Sequence, residues 1–264
     1  MSELLSMRGV SKSYHSGVRG CSASVTVLRN VDLTVNAGDV VAITAAPASG
    51  KTTLLMCAAG LLRVDRGTIC WFGGAPNRDL LAKPQGIAYT GDRPFPYAFL
   101  SARETLEYAA IVRDLPLRDN SARVSAALER TGLGALADRR VDALDGGALA
   151  RLALAAALLA EPRLLVVDDI PPACNGAAAS EVAALIRGVA AEGGGVIVAG
   201  RLARRLEAAG PFGSAAHMRR FALTDGRLEP SSERDPMTPR RRLAVPHVRV
   251  AEGVGQSAAE NEAR

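Results

Sequence analysis

Lysine is nearly missing from this chain. Lys12, Lys51 and Lys83 are the only three, although lysine and arginine together number 32. The bias toward arginine and alanine fits a GC-rich coding sequence and carries no functional weight, but it makes each lysine position informative. Histidine is equally scarce: His15, His217 and His247 stand far apart and form no cluster. The four cysteines, Cys21, Cys57, Cys70 and Cys174, include no C-x-x-C pair. Together these absences exclude a zinc site and a disulfide framework, and they read as a reduced, cytosolic set. Long apolar runs are lacking too. The longest, residues 152–160, falls well short of the roughly 20 residues that span a bilayer, so work at a membrane would need another chain for the membrane part. The opening Met1-Ser2-Glu3-Leu4-Leu5 has no basic region and apolar core, and no signal peptide is expected. A strong charge is also absent. The net charge of +5 is a mild excess, below the density of a dedicated nucleic-acid binder, and no nucleic-acid partner is expected. No internal repeat is present.

What remains suffices for a packed core. At 264 residues and 48% hydrophobic content the chain fits one large domain or two small ones. Residues 5–44 alternate apolar and polar, with turn signals at Ser16-Gly17 and Ala37-Gly38, and predict several short strands. A helix is predicted over about 50–62, and strands over 69–72 and 86–90. Residues 101–160 read as mostly helical, with Ser101 and Glu104 as a capping box and helical periodicity from Ser121. Leu164-Leu165-Val166-Val167 is a continuous apolar run, as in a parallel strand buried on both faces. A helix over 178–190 and a strand over 195–199 follow. Strands separated by helices indicate an α/β sheet. From about residue 231 the composition turns to Ser, Glu, Arg and Pro, with a basic run Arg240-Arg241-Arg242. Residues 231–264 are expected to be a largely disordered tail, with the basic run solvated or touching anionic lipid or a partner.

The chemistry concentrates at residues 45–53, Ala-Ala-Pro-Ala-Ser-Gly-Lys-Thr-Thr, directly after the apolar run Val40-Val41-Ala42-Ile43. This follows the phosphate-loop pattern G-x-x-x-x-G-K-[ST], with Ala45 in place of the first glycine. Backbone N–H groups of such a loop, backed by a helix N-terminus, form an anion site. Lysine adds a mobile charge for the β- and γ-phosphates, and the threonine hydroxyl is a Mg²⁺ ligand.

The order and spacing of these and later motifs resemble the nucleotide-binding domain of ABC transporters over about residues 4–229. The resemblance implies a P-loop NTPase of α/β class, with an N-terminal antiparallel β subdomain and a helical subdomain inserted at about 92–150, in a domain covering 1–230. It implies ATP and Mg²⁺ as cofactors. Ala45, Ala48, Ser49, Gly50, Lys51, Thr52 and Thr53 would form the phosphate loop. Tyr14, in Val10-Ser11-Lys12-Ser13-Tyr14, would stack on adenine; the alternative is a tyrosine packed on the core. Thr52 and Asp168, and Asp92 at the position of the family's glutamine, would face Mg²⁺; Asp92 reads equally as a solvated loop residue. The signature L-S-G-G-Q corresponds to Leu144, Asp145, Gly146, Gly147 and Ala148, whose Asp145 reads alternatively as a plain helix N-cap. Asp169 replaces the glutamate that polarises water, Asn175 an aspartate of the following turn, and Arg201 the histidine at the γ-phosphate. Arginine can hold a phosphate bidentately but cannot shuttle a proton.

If either Ala45 or Ala48 needs a positive φ, the residue costs on the order of 1 kcal/mol. Lys51, Thr52 and Asp168 preserve Mg-nucleotide binding, whereas the groups handling the γ-phosphate and the water are changed. The resemblance therefore implies a subunit acting with a membrane permease, at the cytoplasmic face, in a homo- or heterodimer of ATP-binding subunits. Three functions stay open: a slow transport ATPase with Asp169 and Arg201 as catalytic groups, a non-hydrolysing regulatory or structural subunit, and a nucleic-acid-associated ABC protein.

Overall fold

The structure is a computed structural model that describes residues 2–16, 23–75, 84–91, 95, 97–169, 174, 176–208 and 217–231. Asp92, Asn175 and all of the expected tail 231–264 except Ser231 lie outside these residues.

The strands form two sheets. β1 (Glu3–Ser16), β2 (Ala23–Asn36) and β4 (Arg66–Trp71) make an antiparallel sheet in the order β2-β1-β4. The second sheet contains β3 (Asp39–Ala45), β5 (Ile87–Thr90), β6 (Leu164–Asp168), β7 (Gly195–Ala199), β8 (His217–Thr224) and β9 (Arg227–Pro230). Its order is β5-β6-β7-β3-β8-β9, parallel throughout except for the β8–β9 hairpin at one edge. Residues 5–44 thus hold three strands, two of them 14 residues long, rather than several short ones. The β1–β2 ladder runs through register shifts at 7–10 and 10–13, so bulges absorb the breaks in alternation that suggested separate strands.

Period-2 alternation decides which side each strand residue faces. Along β3, Val41 and Ile43 enter the core shared with the antiparallel sheet, while Val40 and Ala42 enter the opposite one. Along β6, Leu164 and Val166 face the first core, and Leu165 and Val167 the second. Both faces are covered, which accounts for the unbroken apolar runs.

The helices are α1 (Lys51–Ala58), α2 (Ala102–Val112), α3 (Asn120–Arg130), α4 (Gly146–Leu158), α5 (Gly176–Ala191) and α6 (Arg201–Ala208). α1 stops four residues before the expected end. Gly60 takes φ 70°, its N–H reaches Cys57 O at 3.0 Å, and Leu61 N–H reaches Met56 O at 2.8 Å. This pair of bonds is the glycine-terminated Schellman ending. Trp71 Nε1 donates to Ala58 O at 2.8 Å, closing the helix end onto β4. At the start of α2 the capping box forms as expected: Glu104 N–H donates to Ser101 Oγ at 3.2 Å and Ser101 N–H to Glu104 Oε2 at 2.8 Å.

α2, α3 and one side of α4 enclose a third core, built on Leu106, Leu128, Leu133 and Leu152. α4 serves two cores, since Ala150, Leu154 and Ala157 pack toward the parallel sheet. Its register against α2 and α3 therefore fixes the helical unit relative to the strands. Cys57, Cys70 and Cys174 form no disulfide among the described residues. Burial pushes the Cys57 thiol up to about 12, where it is inert.

Candidate functional site

The phosphate loop leaves β3 at the carboxyl edge of the parallel sheet, where open α/β sheets bind ligands. A cavity of about 280 Å³ opens there, lined by Val27 and residues 48–53. Gly50 caps α1 at φ 95°, ψ 11°, and a Cβ at this position would meet Val27 Cγ1 at 2.5 Å. Conformation and space both demand glycine here. Ala48 also takes a positive φ, 58°, whereas Ala45 does not and pairs with Leu223 of β8 as an ordinary strand residue. Of the two alanines at glycine positions, only Ala48 is strained.

Lys51 Nζ donates to Ala46 O at 3.1 Å, arching back over the loop. Thr52 is exposed at the first turn of α1. Ser49 Oγ is buried with no hydrogen-bond partner among the described residues. An orphaned hydroxyl, a mobile ammonium and α1's free N–H groups suit the oxygens of a polyphosphate. Thr52 Oγ1 and the Asp168 carboxylate are oxygen donors of the kind Mg²⁺ prefers. Among the described residues no cluster of His, Cys, Asp or Glu is set to hold a metal by itself, so a metal here would need ligand phosphates as well.

Asp168 ends β6, is 8% exposed, and accepts from Tyr89 Oη at 3.2 Å. Sequence reasoning missed Tyr89. The signal was parity: Tyr89 pairs with Val166 across the parallel ladder, so Tyr89 and Asp168 share one face of the sheet.

Tyr14 is not a core residue. Its ring is 45% exposed, and its hydroxyl lies 3.3 Å from Thr53 Oγ1 in the first turn of α1. Lys12 Nζ stands 5.8 Å from the ring centroid and 2.8 Å from Asp65 Oδ1. The other Asp65 oxygen accepts from Ser13 N–H at 2.7 Å. Desolvation tends to raise the Asp65 carboxyl, but the Lys12 ammonium and the Ser13 N–H outweigh it and hold the group below the ordinary carboxylate range. Lys12 and Asp65 were not expected at the site, yet they flank Tyr14, Asp65 by bonding the backbone of the residue before it and Lys12 by standing near its ring.

Asp169 and Arg201 are brought together. Asp169 Oδ1 accepts from Arg201 N–H at 3.1 Å and lies 3.6 Å from Arg201 Nε. The signature segment lies elsewhere: Leu144 and Ala148 pack into the core of the helical unit. Asp145 is the N-cap of α4, its Oδ1 accepting from Ala148 N–H at 2.8 Å. Gly147 is required, because a Cβ there would meet Ala178 Cβ at 2.5 Å.

The profile of the ABC transporter family matches residues 28–171. The chain belongs to that family. The pyoverdine export ATP-binding/permease protein PvdT of Pseudomonas syringae pv. tomato is 31% identical over 90% of this chain and 35% of its own length. The lipoprotein-releasing system ATP-binding protein LolD of Alcanivorax borkumensis is 33% identical over 69% of this chain and 81% of its own. The chain thus spans about a third of PvdT. A dimeric ATP-binding cassette, MJ0796 bound to ADP and Pi, superposes with a TM-score of 0.70 at 22% identity, covering 88% of this chain and all of that one. The ABC cassette fold is therefore established along with the family, and the chain is a nucleotide-binding domain of P-loop type. No helix among the described residues is long and apolar enough to cross a membrane.

Proposed function

We propose that the chain is the ATP-binding subunit of an ABC transporter, that it acts with a separate permease, and that its ATP hydrolysis is weak. The carrying observation is a contrast within one site. The phosphate cavity keeps Gly50, Lys51 and Thr52, while the Asp169 carboxylate, in the place of the water-polarising group, is engaged by Arg201. Aspartate is also one methylene shorter than the glutamate it replaces, and a misplacement of about 1 Å costs on the order of 10²-fold in rate. Bound Mg²⁺, held by Thr52 and Asp168, would neutralise phosphate charge, with Asp92 as the third proposed ligand.

Pairing with a separate permease is supported by the match to most of LolD, named as an ATP-binding protein, and by a surface. Phe99, Ile111 and Val112 are 62%, 59% and 64% exposed beside the Tyr97–Tyr108 ring pair. Contiguous exposed apolar area of this kind marks a protein contact. Such a contact supports a peripheral position at the cytoplasmic face, reached through the permease. Two ATP-binding subunits would then form composite sites, each facing the other's signature.

A second reading, a non-hydrolysing regulatory subunit, is favoured by Asp145, which sets a carboxylate where a γ-phosphate would approach. Equilibrium binding of Mg-ATP to the purified chain, with phosphate release followed in the same samples, separates the two. Saturable binding lost in Lys51→Ala, with turnover below about 1 s⁻¹, the low end for enzymes, supports the main reading. Binding without release selects the second. Absent binding, or rapid release, overturns the proposal.

A further inference from the structure

Asp169 and Arg201 meet because of how the parallel sheet is ordered. β7 lies between β6 and β3. Asp168 pairs with Ala199, and Ala199 with Ile43. The three strands therefore end side by side, and Gly200 N–H donates to Ile43 O at 3.2 Å, beside the exit of β3 into the phosphate loop. Gly200 takes φ +74°, and a Cβ there would lie 2.5 Å from Asp169 Oδ2. Asp169 itself takes φ 63°, a region that aspartate tolerates better than most residues. Backbone geometry at both positions thus aims the carboxylate at the first residue of α6.

The two partners are held unequally. The Asp169 side chain is 25% exposed and anchored by the Arg201 backbone N–H. The Arg201 side chain is 50% exposed, and its guanidinium reaches the carboxylate through Nε on a flexible stem. Of the two, the guanidinium is the more exposed and sits on the longer stem. Guanidinium binds phosphate oxygens bidentately and strongly.

We propose that Asp169 acts as a built-in competitor for Arg201, so that the pair sets this site's preference between nucleoside triphosphate and diphosphate. The inference rests on the reading above that residues 48–53 hold the nucleotide phosphates. A terminal phosphate draws the Arg201 guanidinium off Asp169, which stays hydrogen-bonded to the Arg201 backbone N–H. A diphosphate leaves the ion pair closed. Asp169 and Arg201 are specificity-determining residues in this account, and part of the attraction between Arg201 and the γ-phosphate is consumed in opening the pair. A partly exposed ion pair couples by up to about fivefold, and that is the scale of the expected effect.

The test is a set of titrations of the full chain with Mg²⁺ and either ADP or the non-hydrolysable β,γ-imido analogue of ATP. The variants are Asp169→Asn, Arg201→Gln, the double variant and Lys51→Ala. The analogue removes arrested turnover as a cause of tighter binding. Asp169→Asn should tighten the triphosphate analogue about fivefold and change ADP less than about twofold. In the Arg201→Gln background that gain should shrink to within about twofold. Simple repulsion between Asp169 and phosphate predicts the reverse, because without the Arg201 guanidinium the carboxylate loses that counter-charge and its removal gains more. A gain that stays equal or grows in that background overturns the proposal, as does an equal gain for ADP. Lys51→Ala keeps the two readings apart: if the wild type and Lys51→Ala bind alike, the phosphate-loop reading fails, whereas normal Lys51 dependence with no coupling sinks only the competitor.

Discussion

Restoring glycine at the two alanine positions of the phosphate loop should have opposite effects. Ala48 takes φ 58° and is exposed, so removal of its Cβ loses little packing. A left-handed alanine costs about 1–2 kcal/mol, and the added freedom of glycine in the unfolded chain takes back about 0.4–1 kcal/mol. Ala48→Gly should therefore stabilise the chain by about 0.5–1 kcal/mol. Ala45 is the last residue of β3, in register with Leu223 and without a positive φ. Ala45→Gly should cost about 0.5–1 kcal/mol, as glycine does inside a strand. In a domain of this size 1 kcal/mol moves Tm by about 2–4 °C, so nucleotide-free thermal unfolding should show a rise of roughly 2 °C for Ala48→Gly and a comparable fall for Ala45→Gly. Mg-ATP titration should show tighter binding for Ala48→Gly alone, since the loop no longer stores strain against the phosphates. Shifts of the same sign, or a fall for Ala48→Gly, would refute the reasoning, because both variants make the same chemical change and differ only in backbone conformation.

Two further expectations concern residues that hold site groups in place. Tyr89→Phe removes the hydroxyl that donates to Asp168 at 3.2 Å; a hydrogen bond to a charged group contributes about 1.5–3 kcal/mol, so the Mg²⁺ dependence of nucleotide binding should shift to higher metal concentration while metal-free binding stays unchanged. Lys12→Met frees the Tyr14 ring and should weaken ATP but not inorganic tripolyphosphate, with equal losses for both ligands ruling out a role at the base. The same variant carries a pH signature. The Asp65 carboxyl lies below its ordinary value, so its contribution is present above an unfolded-state pKa near 3.9 and fades as pH falls through the lower folded value. The stability gap between wild type and Lys12→Met should thus be full near neutrality and narrow on acidification below about pH 4.

Most of the strand and helix order was legible because hydrophobic period and burial agree. The run 164–167 is buried on both faces and reads as a parallel strand without help from the rest of the chain. Where bulges interrupt the alternation, as along β1 around Gly9, the period breaks and one long strand reads as pieces. The end of α1 was misplaced because Leu61 and Leu62 continue the apolar pattern, while Gly60 decides the matter through its backbone. α6, β8 and β9 were not anticipated: the arginines of Arg219-Arg220 hide the strand alternation, and Arg219 is drawn in by Asp39 and by Thr34 O, contacts far away in sequence. At the site, local spacing pointed to the phosphate loop, and the family resemblance to Asp168. The Asp169–Arg201 and Tyr89–Asp168 contacts depend on which strands are neighbours, and a linear reading sees only the residues.

Asp145 poses a separable question, because one carboxylate answers to two demands. Within the chain it caps α4 through Ala148 N–H, which helix ends favour. Across a dimer of cassettes it would confront the γ-phosphate held by the other subunit. Two unit charges 4 Å apart at an effective dielectric of 20 repel by about 4 kcal/mol, and the exposure of Asp145 screens this further. Serine caps a helix about as well as aspartate, so Asp145→Ser should leave stability within about 0.5 kcal/mol, whereas Asp145→Ala should lose about 1 kcal/mol. If the carboxylate also opposes nucleotide across an interface, Asp145→Ser should strengthen Mg-ATP-dependent dimerisation in sedimentation experiments by about tenfold, equivalent to ~1.4 kcal/mol, with no change in its absence. Dimerisation unaffected by Asp145→Ser would leave Asp145 as a helix cap alone, and the loss of the signature serine would then not explain any weakness of the composite site. The two demands act on different observables, the cap on unfolding and the repulsion on assembly, so one serine substitution reads both.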